Sequence, residues 1–297
     1  LPKEDGSLGP RNTVTVGSIE KKMGLKASPT CVMNFDGAQG FLVGEANNGL
    51  ACMFTMMNDA RFQVGLQGLG VVEASYQGAL EYARERLQSR APQGIQEQNK
   101  KADPIIHQPD VRRMLLTQKA IAEGCRALAL LYAQQMDIER FGEDTDKHQA
   151  KNVISFLTPI VKGFMTDMAT EMSNLGVQVY GGHGFIREWG MEQLVRDARI
   201  TQLYEGTNGI QALDLMGRKI VADSGNAFGL FKAEIEAFLA DLDNDNAQVK
   251  ATKVVLAQLT EATEFVIAQA KDDPSAIGAA SCDYLNLFGL TSYAYMW

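Results

Sequence analysis

A stretch without proline, from residue 49 to residue 90, constrains the fold more than any other feature of this chain. Its apolar residues recur three or four positions apart, beginning with Met53, Met56 and Met57. This spacing is typical of one face of a long α-helix, and Asn48 precedes it as a candidate N-cap. The three methionines are interpreted as core packing rather than as part of a cofactor site. A helix of this length must bury its apolar face, which predicts packing against other helices.

The same kind of pattern predicts further helices. Asp110 is a candidate cap for the second helix, residues 144–148 read as a polar connection, and Pro159 predicts a kink or register break. The predicted helices cover residues 110–141, 149–180, 191–196, a segment after Glu205 that ends near 223, 225–243, 247–271 and 275–295. Long segments joined by short connections favour a mainly α protein built as an antiparallel helical bundle.

The first 46 residues have a different character. Residues 13–16, 30–35 and 41–43 carry the β-branched and apolar residues that strands prefer. A few short strands do not make an independently stable sheet, so this segment is expected to be part of a β-domain. The predicted organisation is therefore a partial N-terminal β-domain (1–46), a helical bundle (47–223) and a C-terminal helical extension (224–297). Because the sequence opens at Leu1 inside such a domain, we expect a fragment of a longer protein.

Composition excludes several function classes. The formal charge is −8, from 28 basic and 36 acidic residues, which argues against nonspecific nucleic-acid binding. No apolar run is long enough to span a bilayer. The four cysteines are scattered, which favours a reduced, cytoplasmic protein with free and mostly buried thiols. The three histidines show no metal-ligand spacing, so no metal site is predicted.

Two glycine-rich turns are the strongest functional signals. The first contains Glu205, within the motif Tyr204-Glu205-Gly206-Thr207 that continues to Ile210-Gln211. A carboxylate on such a turn is usually just solvated, but irregular backbone can also point it into a pocket. The second turn begins at Gly181-Gly182. No strand precedes this turn, and Arg187 occupies the position of the third glycine in the GxGxxG motif, which argues against a Rossmann dinucleotide site.

These motifs, together with Gln178 and the run from Gln193 to Ile200, resemble the acyl-CoA dehydrogenase family. The resemblance implies that Glu205 is the base that removes the α-proton of an acyl-CoA thioester. It implies FAD as the cofactor, with Gln178, Gly181 and Gly182 at its adenosine and pyrophosphate end. Thr207 is implied near the flavin, and Tyr204 and Gly206 near the substrate.

Two arginines match family positions. Arg86 corresponds to an arginine that reaches the FAD pyrophosphate of the neighbouring subunit, although Ser89 and Arg90 stand where the family has Phe-Gly. Arg61 corresponds to an arginine near the catalytic pocket. Without the resemblance, Arg86 would read as part of a solvated helix end.

The implied reaction is α,β-desaturation of an acyl-CoA, with the β-hydride passing to the flavin and electrons then to an electron-transfer flavoprotein. A homodimer or dimer of dimers is implied as well. Two alternatives stay open: a flavoprotein of the same fold with another task, such as an acyl-CoA oxidase or an alkylation-response protein, and a catalytically silent helical assembly module. Residues 20–24 and 107–113 most resemble the branch of larger members that contains the 3-methylmercaptopropionyl-CoA dehydrogenases.

Overall fold

Helices dominate the architecture, as the sequence pattern predicts. The computed structural model describes Leu1 and residues 3–297, in two units that comprise Leu1–Met57 and Asn58–Trp297. The α-helices are α1 (Gly49–Glu85), α2 (Pro109–Phe141), α3 (Asp144–Pro159), α4 (Met165–Tyr180), α5 (Gly182–Phe185), α6 (Met191–Arg199), α7 (Asn208–Leu213), α8 (Asn226–Ala240), α9 (Ala247–Asp272) and α10 (Ser275–Met296). The segments Ile160–Phe164 and Asp214–Val221 are π-helical, and Ile105–His107, Arg187–Trp189 and Ile200–Gln202 form 3₁₀ turns.

The first unit contains a two-stranded antiparallel ribbon. Strand β1 (Val14–Ile19) pairs with β2 (Cys31–Phe35), and the register shifts between Val16 and Ser18. The ribbon leaves apolar side chains open on its surface: Ile19 is 63% exposed and Phe35 is 66% exposed. The prediction of a third strand at residues 41–43 is wrong. This segment pairs with no other strand, and the chain turns immediately afterwards at Gly44 (φ 82°).

Two predicted helix starts move to earlier residues. Gln108 rather than Asp110 is the N-cap of α2, because Pro109 occupies the first helical position, where its missing N–H costs nothing. The predicted connection at residues 144–148 is instead the first turn of α3. Asp144 and Asp146 lie in that turn, where a carboxylate interacts favourably with the positive end of the helix dipole.

Pro159 changes the helix type, as predicted for a register break. Proline has no N–H, so it cannot bond the carbonyl of Ser155 one turn earlier. The ammonium of Lys219 donates to that carbonyl instead, and to Ser155 Oγ at 2.8 Å. The π-helical segment Ile160–Phe164 follows directly and carries Lys162. Segments of this type are rare and often lie at functional sites.

The main core of the second unit joins helices α8, α9 and α10 to the helices that precede them. Phe288 on α10 is fully buried and stacks on Phe231 of α8 at a ring distance of 5.5 Å, and the buried Phe164 meets the ring of Tyr293 at 4.9 Å. Helix α1 lies against the π-helical segment: a Cβ at Gly65 would lie 2.7 Å from Val161 Cγ1. The same part of α1, within the second unit, carries Arg61, which contacts the Glu205 turn.

Two burial predictions are wrong. The four thiols are free, as predicted, but only Cys125 is buried; Cys31 is half-buried, and Cys52 and Cys282 are exposed. Met53 and Met56 are 40% and 61% exposed, because the buried stripe of α1 starts later, at Phe62. Within the described residues, no helix combines the length and apolar character needed to cross a membrane.

Candidate active site and cofactor-binding pocket

Glu205 lies on a tight turn between the 3₁₀ turn Ile200–Gln202 and helix α7. Its φ angle is 57°, and that of Gly206 is 88°, so two successive residues adopt left-handed backbone. This conformation is uncommon for a residue with a side chain and persists only when the surroundings enforce it. Position 206 favours glycine because of this left-handed φ, and a Cβ there would also lie 2.8 Å from Gln211 Nε2.

Polar side chains enforce the turn from several elements. The Glu205 carbonyl accepts long hydrogen bonds from Arg61 Nε (3.4 Å) and Gln211 Nε2 (3.5 Å). Lys162 Nζ donates to the carbonyl of Gly206 at 2.7 Å. The N–H groups of Glu205 and Gly206 donate to no acceptor within the described chain. The turn is therefore held through its carbonyls, and its N–H groups are left for another partner.

Lys162 is the functional-site residue that the sequence reasoning missed. Its side chain is fully buried, and its ammonium also donates to Asn208 Oδ1 at 2.8 Å. Burial lowers the pKa of Lys162 to about 8; nearby Asp167 and Glu205 oppose this shift, and Arg61 adds to it. The available signal was a lysine inside the apolar run from Ile160 to Phe164, because a charge on a buried helix face needs partners.

Asn208 connects this lysine to α4. Its Nδ2 donates to the carbonyl of Gly163 at 3.0 Å, to Thr166 Oγ1 at 2.8 Å and to Asp167 Oδ1 at 2.7 Å. Gln202 Nε2 donates to the same carboxylate oxygen at 2.6 Å. The residues before and after Glu205 are thus tied to one carboxylate, that of Asp167.

Tyr204 and Thr207 also anchor the turn. The hydroxyl of Tyr204 donates to Gln67 Oε1 on α1, and burial raises the pKa of Tyr204. Thr207 is the N-cap of α7, because its hydroxyl accepts from Ile210 N at 3.3 Å. The Glu205 side chain itself is half-buried, and Ile210 is 52% exposed. The structure thus brings Arg61, Tyr204, Glu205, Gly206 and Thr207 together at one place.

The remaining predicted site residues converge at a second place. Arg86, Gln178, Gly181 and Gly182 line one pocket of about 490 Å³. Gly181 ends α4 with φ 59°, and a Cβ at Gly181 or Gly182 would meet no atom within 4 Å. The exposed guanidinium of Arg86, the amide of Gln178 and open glycine backbone are the groups that hold a phosphate or pyrophosphate. The donor set therefore fits the anionic middle of a dinucleotide.

A buried carboxylate organises the loop that borders this pocket. Asp103 is fully buried, and its oxygens accept from the N–H groups of Ala91, Gln96 and Glu97 at 2.8–3.0 Å and from Arg90 at 3.2 Å. Burial would raise the pKa of Asp103, but these hydrogen bonds lower it to about 2. No periodic pattern in the sequence predicts that this side chain is buried.

The backbone of the same loop returns to the end of α1. Ile105 N donates to the carbonyl of Arg86 at 2.8 Å, and Asp103 N donates to the carbonyl of Ser89 at 2.8 Å. Ser89 adopts φ 62°. This residue stands where the family has Phe, and the neighbouring Arg90 stands where the family has Gly. The loop therefore closes beside Arg86 despite both departures from the motif.

Stacked aromatic rings form one wall of the pocket. Tyr82 stacks on Tyr180 at 4.2 Å, and its hydroxyl lies 3.0 Å from His183 Nδ1. His183 in turn stacks on Trp189 at 4.4 Å. These contacts fix the backbone on both sides of Gly181 and so hold the glycine turn in place.

Comparison with known proteins identifies the family. Residues 47–220 match the family model described as "Acyl-CoA dehydrogenase, C-terminal domain", and residues 231–297 match "Acetyl-CoA dehydrogenase C-terminal like". The chain belongs to the acyl-CoA dehydrogenase family. Members of this family bind FAD, and the residues around the 490 Å³ pocket fit that cofactor's pyrophosphate.

Individual relatives agree with this assignment. The chain is 44% identical over 293 residues to the 3-methylmercaptopropionyl-CoA dehydrogenase of Ruegeria pomeroyi, covering 97% of this chain and 49% of that protein. The likeness agrees with the branch indicated by residues 20–24 and 107–113. Caenorhabditis elegans ACDH-11, solved in complex with C11-CoA, has the same fold, with a TM-score of 0.77 at 21% identity over 99% of this chain and 48% of that one. The Bacillus anthracis acyl-CoA dehydrogenase solved with FAD gives a TM-score of 0.68 at 20% identity, over 94% and 48%.

The chain spans about half the length or less of the curated relatives that it matches. Among the described residues, no group of three or more histidine, cysteine, aspartate or glutamate side chains is arranged to hold a metal ion.

Proposed function

We propose that this chain is the C-terminal part of an FAD-dependent acyl-CoA dehydrogenase that desaturates an acyl-CoA thioester between its α and β carbons. The observation that carries the proposal is the Glu205 turn, in which left-handed backbone presents a carboxylate and leaves the N–H groups of Glu205 and Gly206 without a protein acceptor. In this proposal Glu205 removes the α-proton. FAD, when bound, supplies the acceptor for the β-hydrogen and its two electrons.

The free N–H of Glu205 has a role in the same step. Removing an α-proton places negative charge on the thioester oxygen, and an oriented N–H stabilises that charge. Arg61 and Gln211 bond the carbonyl of Glu205, so they hold the next peptide group, which joins Glu205 to Gly206, and thereby fix the backbone on the C-terminal side of this N–H. The Glu205 turn thus supplies both the carboxylate base and the N–H that donates to the thioester oxygen.

The cofactor residues form the second part of the proposal. Arg86, Gln178, Gly181 and Gly182 are proposed to hold the pyrophosphate and adenosine end of FAD, and Thr207 to lie near the flavin. The first four of these residues support the proposal because they line one pocket, and there is free space beside the backbone of both glycines. Arg61, Tyr204 and Gly206 are proposed to border the acyl-CoA pocket, since all three contact or belong to the Glu205 turn.

Organisation and partners follow as further proposals. We propose the divisions 1–46, 47–223 and 224–297, which the two family matches at 47–220 and 231–297 support. A homodimer or dimer of dimers, an electron-transfer flavoprotein as acceptor and a cytoplasmic location complete the proposal. Arg86 lines the pocket and is exposed to solvent, which fits a cofactor that is shared with a second subunit.

The first prediction tests the base. In the flavin-loaded holoenzyme that contains this chain, Glu205→Gln keeps the side-chain shape but removes the proton acceptor. We expect flavin content to persist while the rate of flavin bleaching by acyl-CoA, followed anaerobically by absorbance, falls by about 10²–10⁴-fold or more.

A matched variant controls for the loss of one carboxylate. Glu264→Gln changes an exposed glutamate on α9, away from both sites, and is expected to bleach at the wild-type rate. Near-normal bleaching by the Glu205→Gln holoenzyme would remove Glu205 as the base. Rapid reoxidation of the reduced wild-type flavin by oxygen would instead indicate an acyl-CoA oxidase.

A further inference from the structure

Lys162 lies beside the proposed base, Glu205, and its contacts suggest a role of its own. It is a fully buried lysine in the π-helical segment Ile160–Phe164, directly after Pro159. Its ammonium reaches across to the Glu205 turn and binds the carbonyl of Gly206 at 2.7 Å and Oδ1 of Asn208 at 2.8 Å. This one cation therefore holds Gly206, directly after Glu205, and Asn208, three positions after it.

We propose that Lys162 is a positioning residue for the reaction: its ammonium fixes the left-handed turn that presents Glu205 to the substrate. The inference rests on the proposed function, since it requires Glu205 to be the base. Lys162 acts through the backbone of Gly206 and the side chain of Asn208, and no contact with substrate is assigned to it.

The turn needs such an anchor because its backbone is unfavourable by itself. Left-handed backbone is unfavourable at a residue with a side chain and persists only when other contacts impose it. The hydrogen bonds to the Glu205 carbonyl are long, at 3.4 and 3.5 Å. The contact from Lys162 to the Gly206 carbonyl is short, and a charged donor makes a stronger hydrogen bond than a neutral one.

The charges around Lys162 tie its protonation to the same turn. Asp167 from α4 and Glu205 from the turn favour the ammonium form, whereas burial and Arg61 from α1 oppose it. The resulting pKa of about 8 lies below that of an exposed lysine. Raising the pH through this value removes the positive charge and weakens the two hydrogen bonds that hold the turn.

Lys219 offers a matched control. It is also a lysine with little exposure, its pKa is lowered by burial, and it also caps a backbone carbonyl, that of Ser155. Its contacts lie on α3 and Asp214 rather than on the Glu205 turn. A general effect of removing a buried lysine should appear in both variants, whereas a positioning effect should appear only at Lys162.

The experiment compares Lys162→Met, Lys219→Met and Glu205→Gln in the holoenzyme, with acyl-CoA as the probe. For Lys162→Met we expect flavin reduction to slow by about 10–100-fold, the scale of a misplaced catalytic group. We expect the acyl-CoA dissociation constant and flavin content to stay near wild type. The rate of flavin reduction in the wild type should fall above about pH 8, and this fall should be absent in Lys162→Met.

The outcomes separate the two proposals. A wild-type rate in Lys162→Met beside an inactive Glu205→Gln would overturn the role of Lys162 and leave the proposed function standing. Full activity in Glu205→Gln would overturn the proposed function itself. Equal losses in Lys162→Met and Lys219→Met would show a general packing defect and also overturn the positioning role.

Hydrogen exchange keeps the proposal testable if Lys162→Met does not fold. The amides of Ile210 and Gln211 are bonded to Thr207 and report on the end of the turn. In the wild-type holoenzyme, the protection of the Ile210 and Gln211 amides against exchange should fall between pH 7 and pH 9.5, once the rates are corrected for the pH dependence of intrinsic exchange. The amides of α3 near Lys219 should keep their protection over the same range. Unchanged protection at Ile210 and Gln211 would contradict the inference.

Discussion

At the scale of single residues, Gly206 gives the sharpest constraint on the Glu205 turn. Its φ of 88° disfavours any residue with a side chain, and an added Cβ would lie 2.8 Å from Gln211 Nε2. Gly206→Ala therefore combines backbone strain with a steric contact. We expect it to lower the free energy of unfolding by about 1–3 kcal/mol, measured by chemical denaturation.

Gly209→Ala is the control for that substitution. Gly209 lies in helix α7, and an added Cβ would meet only Thr207 Oγ1, at 3.9 Å. Alanine is favoured over glycine in a helix by roughly 0.5–1 kcal/mol, so this variant should match or exceed wild-type stability. Equal destabilisation by the two substitutions would mean that the left-handed turn is not the cause.

The sequence predicts the position of Glu205 better than it predicts what holds it. A glycine-rich turn between two helical patterns is a local signal, and the structure has that turn between Ile200–Gln202 and α7. Lys162 is 43 positions away along the chain, and its contact depends on how the π-helical segment lies against the Glu205 turn and α7. The apolar run around Lys162 indicates a buried lysine, but local patterns do not identify the group that it contacts, and this contact is visible only in three dimensions.

At the scale of elements, the loop between α1 and α2 depends on one carboxylate. The folded-state pKa of Asp103 is about 2, below the unfolded value of about 3.9. A lowered pKa contributes stability above the unfolded value, and that contribution disappears as the pH falls from about 4 through 2. We expect amide exchange in residues 91–102 to speed up in this window before the helices lose protection.

Asp103→Asn tests the same loop at neutral pH. The substitution removes the charge that the N–H groups of Ala91, Gln96 and Glu97 share, so the loop should exchange faster at pH 7 while far-ultraviolet circular dichroism stays unchanged. Asp137→Asn, at an exposed position on α2, is the control and should leave the loop protected. A protected loop in Asp103→Asn would show that its backbone contacts suffice.

Element boundaries were predictable where the signal is chemical and local. Pro159 predicts a break, and the helix changes type there because one N–H is missing. The polar residues 144–148 predict a connection, yet a solvated helix start is polar too, and the aspartates in this one favour helix. The segment at 41–43 has strand-like residues, but a strand also needs a neighbour to pair with, which composition does not encode.

At the scale of the whole molecule, the two units differ in how completely they bury their apolar surface. The second unit has a continuous core that includes Phe164, Leu215 and Phe288. The first unit is a two-stranded ribbon with exposed apolar side chains, and ribbons of this size are marginal in water. A helical protein with a weakly ordered N-terminal ribbon is therefore expected when the chain is isolated.

The last prediction concerns function in that isolated chain. The chain spans about half of its 44% identical relative, and the Glu205 side chain is half-buried. A catalytic carboxylate needs its pocket closed and supported on all sides, because water both solvates the charge and permits side reactions. The 297-residue chain alone should therefore be mostly helical by circular dichroism, bind FAD weakly or not at all, and show no acyl-CoA dehydrogenase turnover. Flavin titration beside the holoenzyme provides the measurement. Tight FAD binding with turnover would show that these residues build the complete active site by themselves.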